Sequence, residues 1–543
     1  MKSILNFKVL LFLFIGYAES FAQQGILDTQ FFDEGTLLMF ENAGEFPSTA
    51  IDDFIQDSDG NFIVFGRSTA SPTNNSLFMA KFTRNGAYVE SFGNNGVRFF
   101  PEDGPLFGIS AIRQLSNGNF VVLTGEVIGG PGNNSTVLRI LEMDDNGNLV
   151  EGFGNGNNSY TIPGNVFYER LDVSPQGKIW VHFNKINEPN IFTISANIYC
   201  LQFNSDGSLN SQFGENGLFE FGEDEADERA FSIEFDENDN AYLCGGFKES
   251  TSFGIFAEAL VVKVLNTGSL DNSFGTNGVF RFNDGNANFG AKDAKISNNH
   301  LFLCGFRYSP SESIQNAMIL KIGISGSLNT SFGNSGFVLL NESISESKSM
   351  AISSQGQIAV LSELENSSTS EKDILVVLYD GNGNLQESFG VGGSSTPWDL
   401  NNGDDYGVKV LFDNNGNGIF TSGGGYSDNN SGGGGGSRAL ENGDYAFVQK
   451  YIYENPSSVS INVKNNLLIY PNPTIEEITV KADKLIDEYI FSDISGKVFM
   501  KNEVNKATEI QVSMDELNNG IYYLELIFSD HSREFHKVIK SNH

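Results

Sequence analysis

Cysteine is nearly absent. Three residues, Cys200, Cys244 and Cys304, in a chain of 543 do not make a disulfide framework, and they read as small buried side chains. The chain has only five histidines, and no Gly-x-Ser-x-Gly elbow, His-Glu-x-x-His pair or phosphate loop occurs. Basic residues are outnumbered, 33 Lys and Arg against 68 Asp and Glu, for a net charge of −35. Such a field repels phosphate backbones and excludes nucleic acid as a partner. The acids are spread through turns and form no tail, so they read as a solvated surface and not as a dedicated cation store. Beyond the N-terminus no apolar run approaches the length of a bilayer span, which predicts a soluble mature protein with no transmembrane segment.

The first 22 residues stand apart. Lys2 and Lys8 precede an apolar stretch from Val9 to Tyr17, and Ser20-Phe21-Ala22 places small residues where a signal peptidase reads. The stretch is too short to anchor, and no Cys follows it as a lipoprotein signal requires. Residues 1–22 are therefore expected to be a signal peptide.

What the chain has in quantity is glycine (60) and phenylalanine (47), with 39% apolar residues overall. That combination suits many short strands joined by tight turns. Phe31, Phe92, Phe153, Phe213, Phe274, Phe332 and Phe389 recur at intervals of 57 to 61 residues, mostly within a Phe-Gly-x-x-Gly setting. A fixed period over seven copies signals a repeat architecture. A second column keeps step, with Phe62-Ile63-Val64-Phe65, Phe120-Val121-Val122-Leu123, Ile179-Trp180-Val181-His182 and Ala241-Tyr242-Leu243-Cys244. Leu301-Phe302-Leu303-Cys304, Ile358-Ala359-Val360-Leu361 and Gly418-Ile419-Phe420-Thr421 continue it. These runs do not alternate, so both their faces must be covered. A third column lies near 78–82, 137–141, 198–203, 260–265, 318–322, 375–379 and 446–451, and shorter runs flank the others. Four strands per period, stacked face to face, predict an all-β, seven-bladed β-propeller over residues 25–453. The first unit opens with its outer strand and the last ends without one, so Thr36 to Phe40 is expected to complete the final blade.

The Leu-x-x-Ser-Phe-Gly-x-x-Gly pattern, clearest at Leu270-Asp271-Asn272-Ser273-Phe274-Gly275-Thr276-Asn277-Gly278, resembles the delta-60 repeat of bacterial propeller proteins, a family with no assigned activity. Three copies depart from it. Phe32 replaces the first Gly, Gly152 replaces Ser, and Val391-Gly392 replaces the polar pair, which predicts irregular blades there. One Phe per blade with no polar cluster reads as architecture.

Several turns imitate calcium loops, among them Asp57-Ser58-Asp59-Gly60-Asn61, Asp236-Glu237-Asn238-Asp239-Asn240 and Asp413-Asn414-Asn415-Gly416-Asn417. The bidentate Glu of such a loop is missing: Phe247 and Gly424 occupy the twelfth positions counted from Asp236 and Asp413. Hairpin turns are the better reading. His182 lies in an apolar strand column and reads as a satisfied core residue, and Cys244 and Cys304, at equivalent positions of adjacent blades, as free buried thiols. Two Trp give little support to a quinone-cofactor enzyme. Ser422 to Ser437, rich in Gly and Ser, reads as a hairpin loop inside the seventh blade. No catalytic, cofactor-binding or metal-binding residue is singled out.

After Tyr453 the period stops. Residues 454–465 read as a linker, and residues 466–543 as a small β-sandwich with short alternating strands. Tyr470-Pro471-Asn472-Pro473, Asp493-Ile494-Ser495-Gly496-Lys497, Leu517-Asn518-Asn519-Gly520-Ile521-Tyr522-Tyr523 and Lys537-Val538-Ile539-Lys540 follow in order. Together they resemble the type A sorting domain of the type IX secretion system of Bacteroidetes. That resemblance implies engagement of the type IX machinery, passage through the periplasm, and release or attachment at the cell surface. The plainer alternative is an accessory sandwich that binds ligand. The expected function is a secreted or surface propeller that binds a protein or glycan through one face. The alternative is a secreted enzyme acting on polysaccharide with carboxylates at the propeller channel, which three or more carboxylates with aromatic rings around one channel mouth would favour.

Overall fold

The computed structural model describes residues 24–540 apart from 33–34, 40–47, 72–73, 101–110, 131–132, 187–194, 224–225, 250–255, 341–343, 366–370, 399–403, 417, 426–444, 454–467, 471–473, 475–476, 493–497, 516, 519 and 530–532. The signal peptide and linker expected from sequence lie outside these residues, as does most of the Gly-rich segment after Gly425. The chain folds as two compact units divided between Asn455 and Pro456.

The first unit is built almost wholly of antiparallel strands. Strand β1 (Thr36–Leu38) comes first and is followed by β2–β5 (Ser48–Gln56, Phe62–Ser71, Asn74–Phe82, Val97–Phe99), which form the first sheet. The second sheet holds β6–β9 (Ala111–Gln114, Phe120–Gly130, Asn133–Met143, Ser159–Pro163). The third holds β10–β13 (Val166–Val173, Ile179–Ile186, Ala196–Phe203, Leu218–Phe221), and the fourth β14–β17 (Ala226–Phe235, Ala241–Glu249, Glu258–Val264, Val279–Phe282). A single parallel bridge from Ala196 to Asp227 joins these two. In the fifth sheet are β18–β21 (Asn288–Ser297, His300–Ser309, Ile314–Gly323, Phe337–Leu339), and in the sixth β22–β24 (Ile344–Ile352, Ile358–Glu365, Lys372–Tyr379). The seventh sheet contains β25–β27 (Asp405–Phe412, Gly418–Gly425, Tyr445–Ile452) and, on its edge, β1.

The closing strand sits where the sequence placed it. Thr36, Leu37 and Leu38 pair with Gln449, Val448 and Phe447, and Met39 N–H continues to Ala446 O at 2.8 Å. Phe40 lies outside the described residues. Pairing hides an edge that would otherwise template another chain. Leu37 and Phe31 are fully buried in one cluster with Phe62, Phe82, Phe420 and Val448, so the first and seventh sheets share a core.

The Phe-Gly motif explains itself in this setting. In the second copy Gly93, Asn95 and Gly96 have φ of 55°, 51° and 90°, left-handed values that glycine and asparagine tolerate best. A Cβ on Gly93 would lie 2.3 Å from Val97 O. The motif amide then reaches the next sheet: Phe32 N–H donates to Asn85 O, Gly93 to Asn146, Gly154 to Asp206, Gly214 to Thr267, Gly275 to Ser325 and Gly333 to Asn382. Gly390 N–H donates to Gln24 O at 2.6 Å and completes the circuit.

Of the three divergent copies expected to be irregular, two are. Copy one keeps the regular turn, with Phe32 at φ 46°, Gly35 at φ 92° and the Phe32 amide bonded to the next sheet, although Phe32 stands 51% exposed. Copy three becomes a 3-10 turn over Phe153–Gly156 with Phe153 only partly buried. At copy seven Val391 is 76% exposed, and the sixth sheet's outer strand shrinks to bridges from Val377 to Ser394 and Ile374 to Trp398. The other motif phenylalanines are buried.

The second unit contains β28–β32 (Leu468–Tyr470, Glu477–Ser492, Val498–Ser513, Gly520–Phe528, Arg533–Lys540). β29 and β30 form one long hairpin whose register slips between Lys481 and Glu488. β28 pairs β29 before the slip and β31 pairs it after, and both halves bury a single cluster that includes Ile478, Val480, Leu524, Leu526 and Val538.

Deleting residues 25–39 exposes the β27 edge. The expected outcome is a lower unfolding midpoint by circular dichroism together with larger species in light scattering. An unchanged midpoint would contradict closure by β1. Phe31→Ala alone should cost about 3–5 kcal/mol by chemical denaturation.

Candidate functional site

The first strands of the seven sheets pack in sequence, β2 on β6, β6 on β10 and onward to β25, which returns to β2. They enclose an axial shaft, and a cavity of about 110 Å³ within it is lined by residues from every one of these strands. In most of these strands a register shift, such as that between Ile51 and Asp53 or between Ala291 and Asp293, precedes the residue turned toward the axis. One layer of the shaft follows from this: Asp53, Ala111, Arg170, Ser232, Asp293, Ser349 and Lys409. In the seventh sheet Lys409 pairs with Ser422, so Ser422 and not Thr421 occupies the strand column of Phe65 and His182. The extra residue in the Asp413–Gly418 turn causes the offset from the sequence alignment.

The layer ties neighbouring sheets together. Asp53 accepts Ile112 N–H at 3.0 Å, and Asp293 accepts Met350 N–H at 3.0 Å. The hydroxyls of Ser232 and Ser349 accept Ala294 N–H and Val410 N–H at 3.2 and 3.3 Å. Charges are matched the same way. Arg113 bridges Asp53 (2.6 Å) and Asp172 (3.0 Å), and Lys409 adds a second cation to Asp53 at 2.9 Å. Lys295 bridges Glu234 (2.7 Å) and Asp293 (3.3 Å). Burial alone would raise the Asp53 carboxyl, but Lys409, Arg113 and the Ile112 amide outweigh it and hold Asp53 well below the usual carboxylate range. Asp293 is lowered likewise, with Lys295 and the Met350 amide outweighing its burial. Glu234 is raised, because its burial outweighs Lys295. The sequence predicts acids in turns, but Asp53, Asp172, Glu234 and Asp293 lie on innermost strands.

His182 departs from expectation. It is fully buried, but neither ring nitrogen has a hydrogen-bond partner, so it is not a satisfied core imidazole. It pairs with Arg170 on β10 and Cys200 on β12 and lines the shaft cavity. Burial, then the charges of Arg170 and Arg113, lower its pKa to about 3. Cys200, Cys244 and Cys304 are free and buried. The calcium-like loops are hairpin turns: Asp57 Oδ1 accepts Asn61 N–H at 2.7 Å, and Asp236 Oδ1 accepts the amides of Asn238 and Asn240 at 3.0 Å. Among the described residues no group of three His, Cys, Asp or Glu is placed to hold a metal ion.

Where the first strands begin, the shaft opens beside a larger cavity of about 300 Å³ lined by Asp227, Arg229, Lys248, Phe256, Lys292, Phe306, Gln315 and Glu346. Lys292 lines both cavities. Buried Asp227 takes Nε and Nη2 of Arg229 at 2.7 and 2.9 Å. The same guanidinium lies over Phe167 and Phe256, 5.2 and 5.6 Å from the ring centres. Lys292 sits 4.8 Å over Phe231 and 3.2 Å from Glu346. Tyr168, exposed and held at φ 54°, meets Phe231 edge-on at 4.9 Å. An aromatic side chain at positive φ is strained and persists only where its surroundings impose it. The mouth thus combines carboxylates and rings with at least as many cations.

The family profile described as a secretion system C-terminal sorting domain matches residues 468–541. The second unit is a type IX secretion sorting domain. This sorting domain marks the chain for the cell surface or beyond, and among the described residues no helix is long and apolar enough to cross a membrane. No curated protein matches the chain. Solved structures that resemble it include the extracellular domain of the hybrid two component system BT4673 from B. thetaiotaomicron, at 11% identity and TM-score 0.33. That match covers 93% of this chain and 60% of the other. The α-L-arabinofuranosidase Arb93A of Fusarium graminearum matches at 11% identity and TM-score 0.38, covering 76% of this chain and 97% of that one. An endo-arabinase from Bacteroides thetaiotaomicron VPI-5482 matches at 12% and 0.30, covering 62% and 96%. At these scores none bears on activity.

Two outcomes test the shaft. The folded pKa of His182 lies below the unfolded value near 6.5, so unfolding takes up a proton and stability falls as pH drops from about 6.5 toward 3. His182→Leu should remove about 2 kcal/mol of the loss between pH 6.5 and 5, read by urea unfolding at both values. Asp293→Ala leaves Met350 N–H without its acceptor and takes from Lys295 one of its two carboxylates, and should cost about 3–5 kcal/mol at pH 7.

Proposed function

We propose that this protein is an exported seven-bladed β-propeller of the delta-60 kind that acts by binding a partner at the mouth of its shaft. A signal peptide over residues 1–22 begins the route, residues 25–453 form the propeller, residues 454–465 are the linker, and a type A sorting domain over residues 466–543 carries the chain through the outer membrane of a Bacteroidetes cell. The circuit of seven motif amides, six bonded to the next sheet and the seventh to Gln24, supports the blade count. The observation that carries the binding reading is the 300 Å³ cavity at the shaft mouth, a size and a mixture of rings and convergent polar groups suited to holding a ligand.

Hydrolysis of polysaccharide is the second reading, favoured by the convergence of Asp53, Asp172 and Asp293 on one axis. A glycosidase needs one carboxyl protonated and another charged, both free to meet substrate. Asp53, Asp172 and Asp293 are instead engaged by Arg113, Lys409 and Lys295, and the lowered pKa values of Asp53 and Asp293 deny either a proton at neutral pH. Binding is therefore the better account.

Capture of ligand on a glycan array and from native cell envelope should fall at least tenfold in a Tyr168→Ala/Phe231→Ala double variant whose unfolding midpoint is unchanged. Undiminished capture overturns the assignment to this mouth. Release of reducing sugar from any polysaccharide, lost in Asp53→Asn and Asp293→Asn, would establish the second reading instead. Deleting residues 468–541 should retain the protein in the periplasm on cell fractionation.

A further inference from the structure

In a chain whose acids outnumber its bases 68 to 33, the linings of the two cavities reverse the balance, with eight Lys and Arg against six Asp and Glu. Glu234 and Glu363, which pair with Lys295 and Lys348, bring these linings to neutrality, so within a strongly negative molecule this is the surface where the surrounding field opposes an anion least. Not every cation is spent on internal pairs. Arg229 gives Asp227 two of its nitrogens, while Nη1 has no hydrogen bond among the described residues. Arg170, exposed and lining the shaft cavity, makes one hydrogen bond, from Nη1 to Glu169 O at 3.1 Å, and no ion pair among the described residues. Behind it the two unpartnered nitrogens of buried His182 face the same cavity, ready to donate and accept one hydrogen bond each.

Beside these donors stand ring surfaces. Phe231 lines the shaft cavity and Tyr168 stands exposed against it, forming an apolar platform within reach of Lys292. Cations next to such a platform suit a ligand with flat C–H faces and spaced single negative charges. Guanidinium forks match carboxylate geometry, and rings accept the apolar face of a pyranose. Resting on the binding reading above, we propose that the ligand is an acidic glycan, a chain of carboxylate-bearing sugars, with Lys292 and Arg170 meeting the carboxylates and the Tyr168–Phe231 platform meeting the ring.

The test is isothermal titration of the purified full chain with tetramers of galacturonate, mannuronate and glucuronate, and with their neutral methyl esters. At least one acid tetramer should bind ten times more tightly than its ester. Raising salt from about 0.05 to about 0.5 M should weaken the acid form several-fold and leave the ester unchanged. Lys292→Gln and Arg170→Gln, checked for an unchanged unfolding midpoint, should each remove most of the preference for acid over ester, while Phe231→Ala should weaken both forms alike. Equal affinity for acid and ester, or a preference that survives both charge variants, overturns the acidic ligand but leaves the mouth as a binding face. No binding by any tetramer also overturns it, and the array result with the Tyr168→Ala/Phe231→Ala variant then decides the binding reading separately.

Discussion

Everything in the first unit depends on the amide that follows each motif phenylalanine. It is oriented by a left-handed backbone and donates to a turn carbonyl of the next sheet six times, and a seventh time to Gln24, which closes the circuit. A single hydrogen bond of this kind contributes only about 0.5–1.5 kcal/mol. Its importance is positional. It fixes how far each sheet stands from the next, and that spacing decides whether the apolar faces between them interdigitate. The buried phenylalanine supplies the adhesion, and the amide supplies the register.

The shaft obeys a different rule. Seven first strands converging on an axis leave a gap too wide for backbone alone to fill, and the chain lines it with charges arranged to cancel. Arg113 and Lys295 each bridge the carboxylates of two sheets. Removing charge from water is costly, and the cost is offset only where every oxygen finds a partner. Asp293 comes close to that limit, accepting from Met350, Ala294, Ser232, Ser349 and Lys295. His182 is the exception, an imidazole left neutral and unpartnered beside two arginines.

The strands and their order were legible because the information is local. Phe-Gly pairs, Asx-Gly turns and unalternating apolar runs repeat within each sixty residues, and the outer strand missing from one end of the array turns up at the other. The shaft was not legible, because its layer takes one residue from each repeat and those residues share a position but no single chemistry. Asp53 and Asp293, Ser232 and Ser349, Arg170 and Lys409, and Ala111 mix acid, hydroxyl, base and methyl, and a consensus read down the repeats erases them. They lie in the first strand of each sheet, in most cases after a bulge that alters the count. In the seventh sheet one extra turn residue shifted the alignment from Ser422 to Thr421. Aligning the repeats on the bulge would have exposed a polar column beside an apolar one.

Closure by β1 also imposes a timetable. The strand that completes the seventh sheet is made first, and its partner, Tyr445–Ile452, some four hundred residues later. Contacts so distant in sequence form slowly. Until they do, Thr36 to Leu38 must stay unpaired and the seventh sheet must wait with a bare edge. Six sheets can stack as they emerge, but the ring becomes a ring in one late event. A chain interrupted anywhere before Tyr445 would keep two open flanks and no means of covering them.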